Sequence, residues 1–289
     1  MRAKSITEPK ENGEFYPFSH YYIFGYVMEN YNDVAKKLIS IVLNKKVRKV
    51  VCNKAEYGIK SNFECKSIRL DIYFEDDNSV YDVEMQVYSD RALGKRCRYY
   101  QSSLDTNTFK EGQKYYELKN SYIIFLCLFD PFDNDQYEQK PIQAINTFEM
   151  LRTDDPTCKV GDALKLQTAA QVTICNTLAY EKTSGNLHDL LQYIATQKVE
   201  NNNSFIKKID DIVRQANKNE DIRRAAKMFD MKFMEAQQIG EQRGMKIGEQ
   251  RGMEIGKEEE RQRMYNAINS DKSLTDTEKE KFIKFMQKV

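Results

Sequence analysis

The side chains best placed for chemistry sit in two short alternating stretches. Apolar Ile68, Leu70, Ile72 and Phe74 alternate with Arg69, Asp71 and Tyr73, and Tyr81, Val83, Met85 and Val87 alternate with Asp82, Glu84 and Gln86. Such alternation marks strands with one apolar and one polar face, and Asp76-Asp77-Asn78-Ser79 between them marks a hairpin turn. A two-residue turn at Asp77-Asn78 and a four-residue loop at 76–79 give the same register. Ile72 then meets Val83, Leu70 meets Met85, Asp71 faces Glu84 and Arg69 faces Gln86. Carboxylates opposed in this way, with Cβ atoms roughly 5 Å apart, repel, and a hard cation such as Mg²⁺ can be shared between them. A Mg²⁺ held by few carboxylates keeps positions for water and a substrate phosphate, which suits metal-assisted phosphodiester hydrolysis. The bland alternative is a solvated acidic face, relieved by Arg69, by water or by a slipped register.

The next stretch, 91–108, reads as a helix. Arg91, Lys95 and Arg98 fall at i, i+4 and i+7, so one face carries three positive charges, with Arg96 a fourth and no acid in 91–98. Tyr99, Tyr100 and Gln101 follow and can contact a nucleic-acid backbone or stack on a distorted base. A second basic patch is Lys45-Lys46 with Arg48-Lys49. Contacts of this kind give sequence-independent, salt-sensitive DNA affinity; the competing reading is a solvated helix face. Other chemistries are excluded. With only His20 and His188, His-based zinc sites and HExxH or HNH centres cannot be built. Neither GxxxxGK[ST] nor a strand-linked GxGxxG is present. Tyr99 and Tyr100 lack the Arg/His set of a recombinase nucleophile, and Cys97 is expected to turn toward the core.

These groups need a scaffold. Residues 1–18 are a polar lead-in, and 21–43 follow helical spacing with a break near Asn30–Asn32. Val47–Cys52 is a short β-branched run. Tyr122–Phe129 is a continuous apolar run, expected as a buried central strand ending at Asp130-Pro131, and Gln171–Leu178 is another strand candidate. Beyond Gly185 the pattern is helical. The tail repeats Ile239-Gly-Glu-Gln-Arg-Gly-Met-Lys at Ile247, which places glycine at 240, 244, 248, 252 and 256. Either this glycine ridge lets a partner helix approach closely, giving a homodimer or higher oligomer, or it is an exposed, weakened helix. The expected organisation is a domain at 19–185, a helical extension at 186–238 and a glycine-punctuated charged tail at 239–289.

Composition sets outer limits. The 289 residues are 40% hydrophobic and 31% charged, so a core forms but part of the chain lies outside it. Forty-five basic residues balance 44 acidic ones, which excludes a globally basic nucleic-acid binder. The run 122–129 is too short to span a bilayer. With no apolar stretch after the first charges, and six scattered cysteines without a CxxC pair, the expectation is a cytoplasmic protein with reduced thiols and no membrane partner.

The order Asp71, loop, Glu84-x-Gln86 resembles the PD-(D/E)XK nuclease superfamily. More closely, SHYYIFGYVMEN (19–30), IRLDIYFEDDNSVYDVEMQ (68–86), KRCRYYQSSLD (95–105) and SYIIFLCLFDPF (121–132) resemble the Rpn-type recombination-promoting nucleases, also described as transposases. The resemblance implies an α/β fold, a restriction-endonuclease-like mixed sheet flanked by helices, here followed by an all-helical C-terminal region. It also implies DNA phosphodiester cleavage with Mg²⁺, for which Mn²⁺ can substitute. Asp71 and Glu84 would be metal ligands, Glu29 an assisting acid and Gln86 the third motif position. Two features depart from the pattern: Gln86 stands where most of the superfamily has Lys, and Ser19-His20-Tyr21 stands where acidic residues often precede the first helix. Lys95 or Arg98 is expected to supply the charge that Gln86 lacks, and Arg91, Lys95, Arg98, Tyr99 and Gln101 to contact DNA. The rival reading keeps the fold as a catalytically weak DNA-binding or assembly protein that oligomerises through its tail.

Overall fold

The computed structural model describes residues 15–47, 52–59, 68–89, 92–132, 143–148, 170–200 and 202–286. The first helical stretch forms two helices, α1 (Tyr21–Asn30) and α2 (Asn32–Val42), separated where Tyr31 leaves helical geometry at φ −125°, ψ 76°. Three strands follow, β1 (Cys52–Ile59), β2 (Ile68–Glu75) and β3 (Ser79–Gln86), then α3 (Leu93–Thr108) and β4 (Asn120–Cys127). β5 (Ile145–Phe148) and β6 (Ala170–Asn176) complete the described strands, and α4 (Gly185–Thr196), α5 (Ser204–Lys218), α6 (Glu220–Ser270) and α7 (Asp276–Met286) end the chain.

The strands form one mixed six-stranded sheet in the order β1-β2-β3-β4-β6-β5. β1, β2 and β3 are antiparallel neighbours, β3, β4 and β6 run parallel, and β5 returns antiparallel on β6. As its continuous apolar run requires, β4 is central and buried on both faces. Ile72, Phe74, Val83, Met85, Ile124 and Leu126 pack on one face with Ile23, Phe24 and Val27 of α1, Leu38 of α2, Leu190 and Ile194 of α4 and Ile209 and Val213 of α5. On the other face Tyr73, Val80, Ile123, Phe125, Cys127 and Ile174 pack beneath Leu93, Cys97, Tyr100 and Leu104 of α3. That second layer governs the site, because it covers the acidic side of the hairpin.

The chain divides into two compact units, residues 1–226 and 227–289. In the first, α4 and α5 contribute core side chains, so the residues after Gly185 help to build the body of the domain. In the second, α6 is a charged helix, exposed along nearly its whole length from Lys227, with five glycines spaced every fourth residue. A Cβ built on any of the five would meet nothing within 4 Å. No helix among the described residues is long and apolar enough to cross a membrane.

Candidate active site

The hairpin has the register its alternation predicts: Glu75 pairs with Val80, Phe74 with Tyr81, Tyr73 with Asp82 and Ile72 with Val83. The ladder stops there. Asp71 and Glu84, expected as the next directly opposed pair, are not ladder partners; β2 continues along β1 while β3 continues along β4. Parting the strands relieves like-charge repulsion, yet it withdraws backbone N–H groups from the ladder in a buried place, where they need acceptors. The two carboxylates provide them. Met85 N–H donates to Asp71 Oδ2 at 2.9 Å, and Asp71 N–H donates to Glu84 Oε1 at 2.9 Å. Each acid thus holds the backbone of the opposite strand, and the fork is self-supporting.

A third carboxylate lies in the same layer. Asp82 is 0% exposed, with the Glu84 carboxyl within hydrogen-bonding reach and no N–H donor on either of its oxygens. Burial, followed by the Asp71 charge, pushes its carboxyl well above the usual range. Glu84 is raised for the same reasons, burial first and then the charges of Asp71 and Asp82; the Asp71 N–H and Arg96 pull the other way. Sequence reasoning put Asp82 on the acidic face but gave it no role. The Asp82-x-Glu84-x-Gln86 alternation was the available signal, and covering by α3 was the missing fact.

The cation that meets these acids is Arg96. Its guanidinium lies 3.5 Å from Glu84 Oε2 and donates to Gln86 Oε1 at 3.0 Å and Tyr100 Oη at 3.1 Å. It sits over the rings of Tyr100 and Phe125, 5.3 and 5.7 Å from their centroids. Burial, and then the Glu84 charge, push the Tyr100 hydroxyl up to about 12, so it stays protonated. Gln86 Nε2 reaches Glu84 Oε2 at 3.4 Å, which leaves the Gln86 amide engaged at both ends.

The other expected residues are distributed as α3 dictates. The helix turns Leu93, Cys97, Tyr100 and Leu104 onto the sheet. At about 100° per residue, Arg96 and Gln101 flank that stripe, while Lys95 points away from it. Lys95 and Arg98 are exposed, and Tyr99 is half-buried against the same core. Gln101 turns inward, its amide donating to Ser121 Oγ and Asp105 Oδ1. Arg91 lies outside the described residues, as do Arg48 and Lys49 of the second basic patch. Glu29 is exposed near the end of α1, a helix whose buried residues pack on the opposite face of the sheet. His20 is buried with its ring 4.7 Å from that of Tyr16, and His188 meets Tyr180 O; neither approaches the fork in these contacts. Cys97 is buried and in no disulfide.

The donor set suits a hard cation. The Gln86 amide and the Arg96 guanidinium meet Glu84 Oε2 at 3.4 and 3.5 Å, beyond the ~2.7–2.9 Å of a charge-assisted bond, and both Asp82 oxygens are buried without an N–H donor. Among the described residues no group of three or more His, Cys, Asp or Glu has metal-holding geometry. A Mg²⁺ site needs fewer, since that ion is usually held by one or two carboxylates with waters and substrate phosphates filling the rest.

A mixed sheet whose strands part at an Asp and a Glu-x-Gln, beneath a basic helix, defines the class: a nuclease-like α/β domain. The family model described as PD-(D/E)XK nuclease family transposase matches residues 17–156, and this segment of the chain is similar to that family. No curated protein and no solved structure matches the chain.

Proposed function

We propose that this protein is a Mg²⁺-dependent DNA endonuclease of the Rpn type, hydrolysing phosphodiester bonds at the fork between β2 and β3. The observation that carries the reading is the pair Asp71 and Glu84, two buried carboxylates at the parting strands, each accepting a backbone N–H of the opposite strand, from Met85 and Asp71 respectively. Asp71 and Glu84 would hold the ion. When bound, Mg²⁺ supplies a nucleophilic water at neutral pH and neutralises charge on the phosphoryl oxygens. Gln86, fixed between Glu84 and Arg96, orients a water or phosphate oxygen. Lys95, Arg98 and Tyr99 on α3, with Arg91, guide the DNA backbone toward the fork, and Gln101 supports the helix from beneath. A second assignment, that the tail joins copies of the chain, rests on the glycine ridge of α6.

The test is plasmid nicking and linearisation by wild type and Asp71→Asn, with Mg²⁺, Mn²⁺ and EDTA. Asn keeps an oxygen for the Met85 N–H, so the fork stays assembled. The expected result is metal-dependent cleavage that the variant loses. Equal cleavage by both proteins would remove the site from the hairpin. Plasmid retardation without cleavage in any metal would establish the binding or assembly reading, which the uncharged Gln86 favours.

A further inference from the structure

We infer that Arg96 is the residue that meets the scissile phosphate and supplies the positive charge that Gln86 cannot. The inference rests on the nuclease reading above. An amide orients but carries no charge, so a developing phosphoryl anion beside Glu84 needs a cation from elsewhere in the site. Lys95 and Arg98 point outward from α3, whereas the Arg96 guanidinium lies beside both Glu84 and Gln86.

Its setting is that of a prepositioned group. Rings of Tyr100 and Phe125 lie against the guanidinium, the Gln86 carbonyl oxygen and the Tyr100 hydroxyl fix its plane, and 29% of the side chain remains exposed toward arriving substrate. A planar fork of N–H donors held in this way matches two oxygens of one phosphate. The 3.5 Å contact to Glu84 is loose enough to yield as the carboxylate turns to another partner. Gln86 thereby acquires a defined role, carrying the arginine in the place where a lysine would itself reach the phosphate.

The placement makes an unusual prediction, rescue by moving the charge. Supercoiled-plasmid cleavage and duplex binding would be measured for wild type, Arg96→Gln, Arg96→Lys and the double variant Gln86→Lys/Arg96→Gln, with thermal melting of each. Arg96→Gln is expected to lower the cleavage rate by about 10²–10³, the cost of removing one transition-state donor. Its duplex affinity in EDTA should stay within about tenfold, because the interaction strengthens in the transition state and not in the ground state. The double variant should recover at least about tenfold in rate over Arg96→Gln, and Arg96→Lys should fall between wild type and Arg96→Gln. Cleavage by folded Arg96→Gln at the wild-type rate overturns the inference. So does a loss that the double variant does not recover while its melting temperature matches wild type. If Arg96→Gln does not fold, Arg96→Lys with and without Gln86→Lys decides in the same way, through recovery of rate. Absence of cleavage by wild type in both metals instead sinks the nuclease reading, and the two failures are told apart by that arm.

Discussion

At the scale of single residues, the fork trades repulsion for hydrogen bonds. Asp71 and Glu84 each replace a lost ladder partner, whereas Asp82 has no such compensation. For Asp82 and Glu84 the folded carboxyl is raised above its unfolded value, so ionisation costs more in the folded state. Stability is therefore full below the ordinary carboxylate range near ~4 and falls as pH rises from there through the raised folded values. In EDTA, Asp82→Asn should remove part of that fall. Its melting temperature should exceed wild type at neutral pH, by an amount reflecting about 1–3 kcal/mol for a buried group without partners, and the gap should close toward pH ~4. A variant that melts below wild type at neutral pH would show that Asp82 has a stabilising partner in solution. Saturating Mg²⁺ should narrow the neutral-pH gap if the acids share the ion.

At the scale of elements, α3 has two jobs on two faces. Its inner stripe seals the acidic layer, and its outer residues meet solvent. Leu104 is 0% exposed within that stripe, so Leu104→Ala should cost about 2–5 kcal/mol, read by chemical denaturation, and should loosen the helix that carries Arg96. The outer face is separable: Lys95→Ala/Arg98→Ala should leave stability unchanged within about 0.5 kcal/mol. The same double variant should flatten the dependence of log K on log[salt] for duplex binding by roughly two. An unchanged slope would mean that DNA passes elsewhere. The hairpin-to-β4 junction is a further contribution at this scale, since Lys119 donates to both Glu75 and the Asp76 carbonyl and ties the turn to the start of β4.

At the scale of the whole molecule, two units carry different physics. Residues 1–226 enclose a core on both sides of a sheet, whereas the helix from Lys227 onward exposes Met231, Met245, Ile247, Met253 and Ile255 along with its charges. Each glycine of the ridge costs about 0.8–1 kcal/mol of helix stability against Ala, and among the described residues nothing lies within 4 Å of a Cβ placed there. Substituting Gly244→Ala, Gly248→Ala and Gly252→Ala together should raise helicity by circular dichroism. If the ridge seats a second copy, the same substitutions should also convert a dimer to monomer in sedimentation. A monomeric wild type, or a dimer that survives the three alanines, would end the tail-assembly assignment.

What the sequence determined alone was whatever depends on near neighbours along the chain. Period-two alternation set the β2–β3 register, the apolar run set β4 as a buried strand, and the Asp and Glu-x-Gln order pointed to carboxylate chemistry. The tertiary structure decided the rest. The ladder ended one pair short of Asp71 and Glu84, where each carboxylate accepts a backbone N–H of the opposite strand in place of a ladder partner. Asp82 became a buried acid instead of a solvated one because α3 covers it. The rotation of that same helix selected Arg96 over Lys95 and Arg98, three cations within four residues that charge pattern cannot rank. That rotation is set by Leu93, Cys97, Tyr100 and Leu104 packing on side chains of other strands, a contact that no local spacing records.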